Sequence, residues 1–239
     1  MDSQPGWLSL IMRKSLRSVV SCNIISYMNS SSSDSSDNAG HHSDNPHNVF
    51  DNPELFIEKF DGSDRDVWQK PDAVVKALGL EPDSVVAEIG AGTGYFTVRL
   101  AEHVKDGKIF AFEHAPKMAD YLKNRVNKLG LNNVDVRTTN PDGSLVLENP
   151  ADLIFSVDVY HHIPSRVEYF ANVLKYLNDN GSVVIIDRTD EKVEGQPHGH
   201  RVPASAVKEE MRAAGFQLFQ ELDFLLPVQY YLAFKRAAK

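Results

Sequence analysis

Gly90, Gly92 and Gly94 alternate at the end of an apolar run over residues 84–89, and an acid, Glu88, sits two residues ahead of the first. Glycine reaches positive φ without a Cβ penalty, so this spacing lets the backbone turn tightly and come close to a bound molecule. An apolar strand that ends in such a turn can receive a nucleotide-like ligand. Glu113 closes a second apolar run, 108–112, roughly twenty residues further on, where a carboxylate can accept hydrogen bonds from both hydroxyls of a ribose. Tyr160, His161 and His162 follow a third apolar stretch, 151–157. A histidine there, titrating near neutral pH, is suited to take a proton from a reacting group.

Those residues need a scaffold, and the punctuation between them predicts one. A buried strand over 84–89 is followed by a helix over 95–104, and a proline at the start with a glycine at the stop frames several other helices. Pro71 opens one carrying Val74, Val75 and Leu78 before Gly79. Pro116 opens another, with Tyr121, Leu122, Val126 and Leu129 on one side and Gly130 after it. Pro164 opens a third with Val167, Phe170, Leu174 and Leu177 at helical spacing, and Pro203 a fourth with Val207, Met211 and Ala214 before Gly215. Runs at 134–138, 151–157 and 182–187 read as strands, and 217–224 and 229–235 as two final strands joined through Pro227. The expected fold is α/β: a doubly wound, mainly parallel, seven-stranded Rossmann-like sheet with an antiparallel C-terminal strand. A ligand then lies beyond the carboxyl ends of the strands, near the topological switch point, where the glycine loop, Glu113, the Asn140-Pro141-Asp142 turn and Asp158 all fall.

The glycine spacing separates nucleotides. A dinucleotide fingerprint is Gly-x-Gly-x-x-Gly, whereas this chain has Gly-x-Gly-x-Gly behind an acid, which favours S-adenosylmethionine over NAD. Here the sequence resembles the class I S-adenosylmethionine-dependent methyltransferases over about residues 46–236, not only in the glycine loop but also in Asp66-Val67-Trp68-Gln69-Lys70-Pro71, in 152–163 and in Leu225-Leu226-Pro227-Val228-Gln229-Tyr230-Tyr231. The subgroup it looks like is one of largely unassigned substrates.

The resemblance implies S-adenosylmethionine as cofactor. Glu88, Gly90, Gly92 and Gly94 would hold its methionine part, Glu113 its ribose and Asp142 its adenine, although Asn140-Pro141-Asp142-Gly143 is equally a plain β-turn. Tyr95 and Asp158 are placed on the cofactor side, with the Tyr95 or Trp68 ring available to a sulfonium. Tyr160, His161 and His162 are the catalytic candidates on the acceptor side, His162 beside Ile163 being the more structural of the histidines. The implied reaction moves a methyl group to an unidentified small molecule. The rival reading is a catalytically silent cofactor-binding module acting as sensor or scaffold.

Composition narrows the partners. A net charge of -8 argues against a nucleic-acid surface, which needs clustered Lys and Arg, and favours a small-molecule substrate. One cysteine, Cys22, leaves neither a disulfide framework nor a cysteine zinc site, and no metal is assigned. No window reaches the roughly 18 to 20 apolar residues of a membrane span. Residues 1–45 read as a disordered or targeting leader ahead of a domain over 46–239: 29–36 is nearly all serine and asparagine, and 8–26 carries Arg13, Lys14 and Arg17 among apolar residues. The expected location is cytoplasmic, or mitochondrial if the leader is a transit peptide. Oligomeric state is not read from the sequence. His198, His200 and Arg201 mark a loop suited to a lid, and of Tyr230 and Tyr231 at most one can face the ligand, because neighbours alternate across a sheet.

Overall fold

In the computed structural model, residues 53–140, 143–191 and 201–238 are described. The leader over 1–45, Asp142, His198 and His200 lie outside the described residues. Three short helices, α1 (Glu54–Asp61), α2 (Ser63–Gln69) and α3 (Pro71–Ala77), precede the sheet. There follow β1 (Val85–Ile89), α4 (Tyr95–His103), β2 (Lys108–Glu113), α5 (Pro116–Lys128) and β3 (Val134–Thr138). The second half contains β4 (Ala151–Val157), α6 (Arg166–Val173), β5 (Leu177–Arg188), α7 (Ala204–Ala213), β6 (Phe216–Leu222) and β7 (Gln229–Arg236).

The seven strands stand in the order β3-β2-β1-β4-β5-β7-β6. The pairs from β3 to β5 are parallel and β7 is antiparallel to both neighbours, as expected. Runs such as Val-Val-Ala-Glu-Ile in β1 are apolar on both faces because each face is covered. Ile109 of β2 packs in the cluster with Val74 of α3 and Leu100 of α4, while its neighbour Phe110 packs with Phe170 of α6 and Val207 of α7. The chain runs outward from β1 to β3 and then returns to the other side of β1 as β4. The switch point is therefore the gap between β1 and β4, with the glycine loop at one lip and Asp158 to His162 at the other.

Several boundaries differ from expectation, among them the start of α6 at Arg166 rather than Pro164. Leu174 and Leu177 have helical spacing but are not in α6: Leu174 enters a short 3-10 turn, and Leu177 pairs with Ala151 as the first residue of β5. Between that pair and Leu153–Ser182 the register shifts, and Asn178 reaches across to Asp152 at 2.6 Å, so the strand starts five residues early through a bulge. β6 likewise ends at Leu222, where the turn to β7 takes over through Leu226 N to Asp223 O and Val228 N to Leu225 O. Among the described residues, no helix is long and apolar enough to cross a membrane.

Candidate cofactor and acceptor site

All three loop glycines have positive φ, 71° at Gly90, 57° at Gly92 and 92° at Gly94. Their reasons differ. A Cβ on Gly90 would stand 2.3 Å from Val159 Cγ2, and one on Gly94 2.3 Å from Leu122 Cδ1, so these two let the loop pack on the tip of β4 and on α5. A Cβ on Gly92 would meet nothing nearer than Phe60 at 4.0 Å, which leaves this stretch of backbone open to a ligand. The Gly92 amide donates to Glu113 Oε2 at 2.8 Å and the Ala115 amide to Oε1 at 2.9 Å. The two bonds aim the carboxylate, and each oxygen keeps a lone pair for a further donor. A diol fits there.

Glu88 is buried beneath the loop. Thr97 donates to its Oε2 at 2.6 Å, and burial pushes the carboxyl up to about 7, with the Glu113 charge adding to the rise and Thr97 and Arg65 opposing it.

Tyr95 does not offer its ring as expected. Arg65 Cζ lies 4.0 Å and Arg99 Cζ 4.2 Å from the ring centroid, and two guanidiniums that close must occupy opposite faces. Its hydroxyl bonds Asp66, which also pairs with Arg99 at 3.1 Å. Tyr95 thus fastens α2 onto the head of α4, and both ring faces are taken before any sulfonium arrives. Asp61 adds a second fastening, to Arg125 at 2.6 Å and to the Thr93 hydroxyl at 3.0 Å. Trp68 is half-buried, with the Arg188 guanidinium 5.2 Å from its ring centroid.

Across the switch point, His161 Nδ1 lies 2.9 Å from both carboxylate oxygens of Asp187, and its backbone amide donates to Oδ2 at 3.1 Å. Asp187 is 1% exposed and also accepts the Arg188 amide at 2.7 Å. With Nδ1 carrying the hydrogen towards Asp187, Nε2 is left as the basic nitrogen. The His161 side chain is 13% exposed, enough for one edge to meet a ligand. His162 is exposed, with its ring centroid 4.0 Å from that of His161. Tyr160 is fully buried: its hydroxyl donates to Glu210 Oε2 at 2.6 Å, Arg166 grips the same carboxylate at 2.7 Å, and burial drives the phenol well above its ordinary range. That hydroxyl is committed to α6 and α7 rather than to a ligand.

Asp158, at φ 56°, accepts Gln229 Nε2 at 2.7 Å. His114 is exposed and bonds the Thr139 hydroxyl at 2.9 Å. Neither Tyr230 nor Tyr231 faces the ligand end, since their hydroxyls reach Val202 O at 3.2 Å and Ala77 O at 3.3 Å on opposite sides of the sheet. Arg201 closes a loop neck through Thr189 O at 2.6 Å and Glu191 O at 2.8 Å. Four residues to which the sequence reading gave no role enter the site: Asp187, Arg65, Gln69 and Gln229. Asp187 ends an apolar strand as Glu113 does, and that shared position was the available signal.

Residues 87–183 match the family model for a methyltransferase domain. The chain is 32% identical over 114 residues to a protein-L-isoaspartate O-methyltransferase of Dictyoglomus turgidum, covering 47% of each chain. Identity to the protein of the same name from Vibrio vulnificus is 33% over 151 residues, 61% of this chain and 65% of that one. The chain thus spans about half the length of the curated relatives it matches. Among solved structures, a SAM dependent methyltransferase from Aquifex aeolicus superposes with a TM-score of 0.70 at 24% identity, over 77% of this chain and 97% of that chain, a likeness of fold.

Proposed function

We propose that the chain is a class I S-adenosylmethionine-dependent methyltransferase and that it methylates a small molecule whose acceptor atom arrives carrying a proton. The open backbone at Gly92, the aimed carboxylate of Glu113 and the buried Glu88 fit the cofactor, with Glu113 receiving the ribose hydroxyls and the loop from Gly90 to Gly94 lying along the methionine part. When bound, S-adenosylmethionine supplies a methyl group on a sulfonium, open to in-line displacement.

The observation that carries the acceptor reading is the pair His161 and Asp187. Nε2 of His161 takes the acceptor's proton as the new bond to carbon forms. Asp187, nearly closed to water, stabilises the resulting imidazolium and then lets the proton pass to solvent. Isoaspartate, the acceptor named for the bacterial relatives, offers a carboxylate oxygen that has already lost its proton at neutral pH. A base contributes nothing to that reaction, so its presence favours an N–H or O–H acceptor. The fastening of α1 and α2 over the loop through Asp61, Asp66 and Tyr95 supports the same reading, because it limits the acceptor space and keeps water from the reacting atoms.

The test incubates the purified full chain with methyl-labelled S-adenosylmethionine, offering an isoaspartyl peptide in one reaction and a low-molecular-weight cell extract in another. Label in the small-molecule fraction and none in the peptide is expected; label in the peptide alone would refute the acceptor class.

A further inference from the structure

A line of hydrogen bonds crosses the site from α2 to the tip of β4. Arg65 Nε and Nη2 each donate to Gln69 Oε1 at 3.2 Å, Gln69 Nε2 donates to Gln229 Oε1, and Gln229 Nε2 donates to Asp158 Oδ1 at 2.7 Å. Both glutamines are fully buried. The direction is fixed at both ends, because a guanidinium only donates and a carboxylate only accepts, so neither amide can turn round without losing its partners. The line occupies one oxygen of Asp158, and Arg188 Nε approaches the same oxygen at 3.6 Å. Oδ2 has no protein donor among the described residues, yet it is not among the buried atoms lacking one. It therefore reaches open space, and the Asp158 side chain is 22% exposed. The residue sits at the switch point in the left-handed region at φ 56°, which Asp enters more readily than most residues other than glycine.

We infer that Asp158, expected from the sequence on the cofactor side, instead anchors the acceptor, and that the acceptor is an amine, its nitrogen held on Oδ2. Arg188 at 3.6 Å offsets the charge only in part while the Asp187 carboxylate adds to it, so a poorly solvated carboxylate with one oxygen free is best matched by a positively charged donor; a hydroxyl adds no counter-charge and another carboxylate is repelled. Burial, with the neighbouring Asp187 charge, raises the proton affinity of Asp158 despite the pull of Arg188 and Arg65. His161 follows three residues later on the same turn. The ammonium gives one proton to His161 Nε2, and the freed lone pair forms the N–C bond while the C–S bond breaks with its electrons going to sulfur. The product leaves as a methylated ammonium with S-adenosylhomocysteine, and the proton passes from His161 to water. This inference rests on the methyl-transfer reading above and deepens it.

The test uses the full chain, wild type and Asp158→Asn. Each is titrated with S-adenosylhomocysteine, and the saturated protein is then titrated with benzylamine, benzyl alcohol and benzoate, which share one ring and differ in head group. The expected result is benzylamine binding the wild type at least about tenfold more tightly than the other two, the preference vanishing in Asp158→Asn, and S-adenosylhomocysteine affinity unchanged. Equal binding of the alcohol, a preference for benzoate, or no binding of benzylamine overturns the inference. So does loss of S-adenosylhomocysteine binding in a folded Asp158→Asn, which would assign Oδ2 to the ammonium of the cofactor. The wild-type comparison stands alone if the variant does not fold. A wild type that fails to bind S-adenosylhomocysteine contradicts the methyl-transfer reading instead.

Discussion

His161 and Asp187 come from different strand ends, 26 residues apart, and meet so that Nδ1 of the ring stands 2.9 Å from each carboxylate oxygen. The pairing leaves one ring nitrogen to act and sets which one. Substitution of Asp187 by Asn keeps the shape but replaces an acceptor-only group with one that can also donate, so the ring loses its tautomeric preference. His161→Ala and Asp187→Asn are each expected to lower the rate of label transfer by about 10²- to 10⁴-fold. Nitrogen NMR of the wild type should show the hydrogen on Nδ1 of His161, and in Asp187→Asn that preference should fade. An unaltered tautomer and rate in Asp187→Asn would remove Asp187 from the chemistry.

Glu88 predicts a pH dependence of stability. Burial holds its carboxyl at about 7 in the folded chain against 4.5 in the unfolded one, so between those values the folded state binds the extra proton. Stability from this group is therefore full at acid pH and lost as pH rises towards 7, by at most about 3 kcal/mol. Glu88→Gln, which still accepts from Thr97, should match the wild type in thermal unfolding at low pH and be more stable than it above neutrality. A difference that does not change with pH would contradict the origin given for it.

Gly90 and Val159 should be coupled. A methyl at 90 collides with Val159 Cγ2 and must also adopt φ 71°, so Gly90→Ala is expected to cost about 2–4 kcal/mol by denaturant unfolding. Val159→Ala in the same chain removes the collision but not the strain, and should recover about half of that loss. Strict additivity would mean that the loop and the tip of β4 do not meet as described.

What the sequence made legible follows the range of each signal. The glycine loop, the place of Glu113 at a strand end and the alternation of strands and helices were readable because the information is local: a turn that needs glycine, apolar runs with acids at their ends, and punctuation by proline and glycine. Side-chain direction was not. Tyr95 stood at the head of a helix beside the loop, but its ring faces were taken by Arg65 and Arg99, one of them from a helix some thirty residues earlier. Tyr160 sat next to His161 in sequence and turned the other way, into α6 and α7. Gln69 and Gln229 lie 160 residues apart, and nothing near either glutamine announces that the two will meet in the interior. Leu177 shows the converse, where helical spacing continued past the helix because strand pairing with Ala151 won.

The most direct measurement is a calorimetric titration of S-adenosylhomocysteine into the full chain and into Glu113→Ala and His161→Ala. The two amide bonds that aim Glu113 and the diol it would hold predict saturable binding to the wild type, weakened by about tenfold or more in Glu113→Ala and unchanged in His161→Ala. Absence of binding to the wild type, or equal affinity in Glu113→Ala, would contradict the cofactor site.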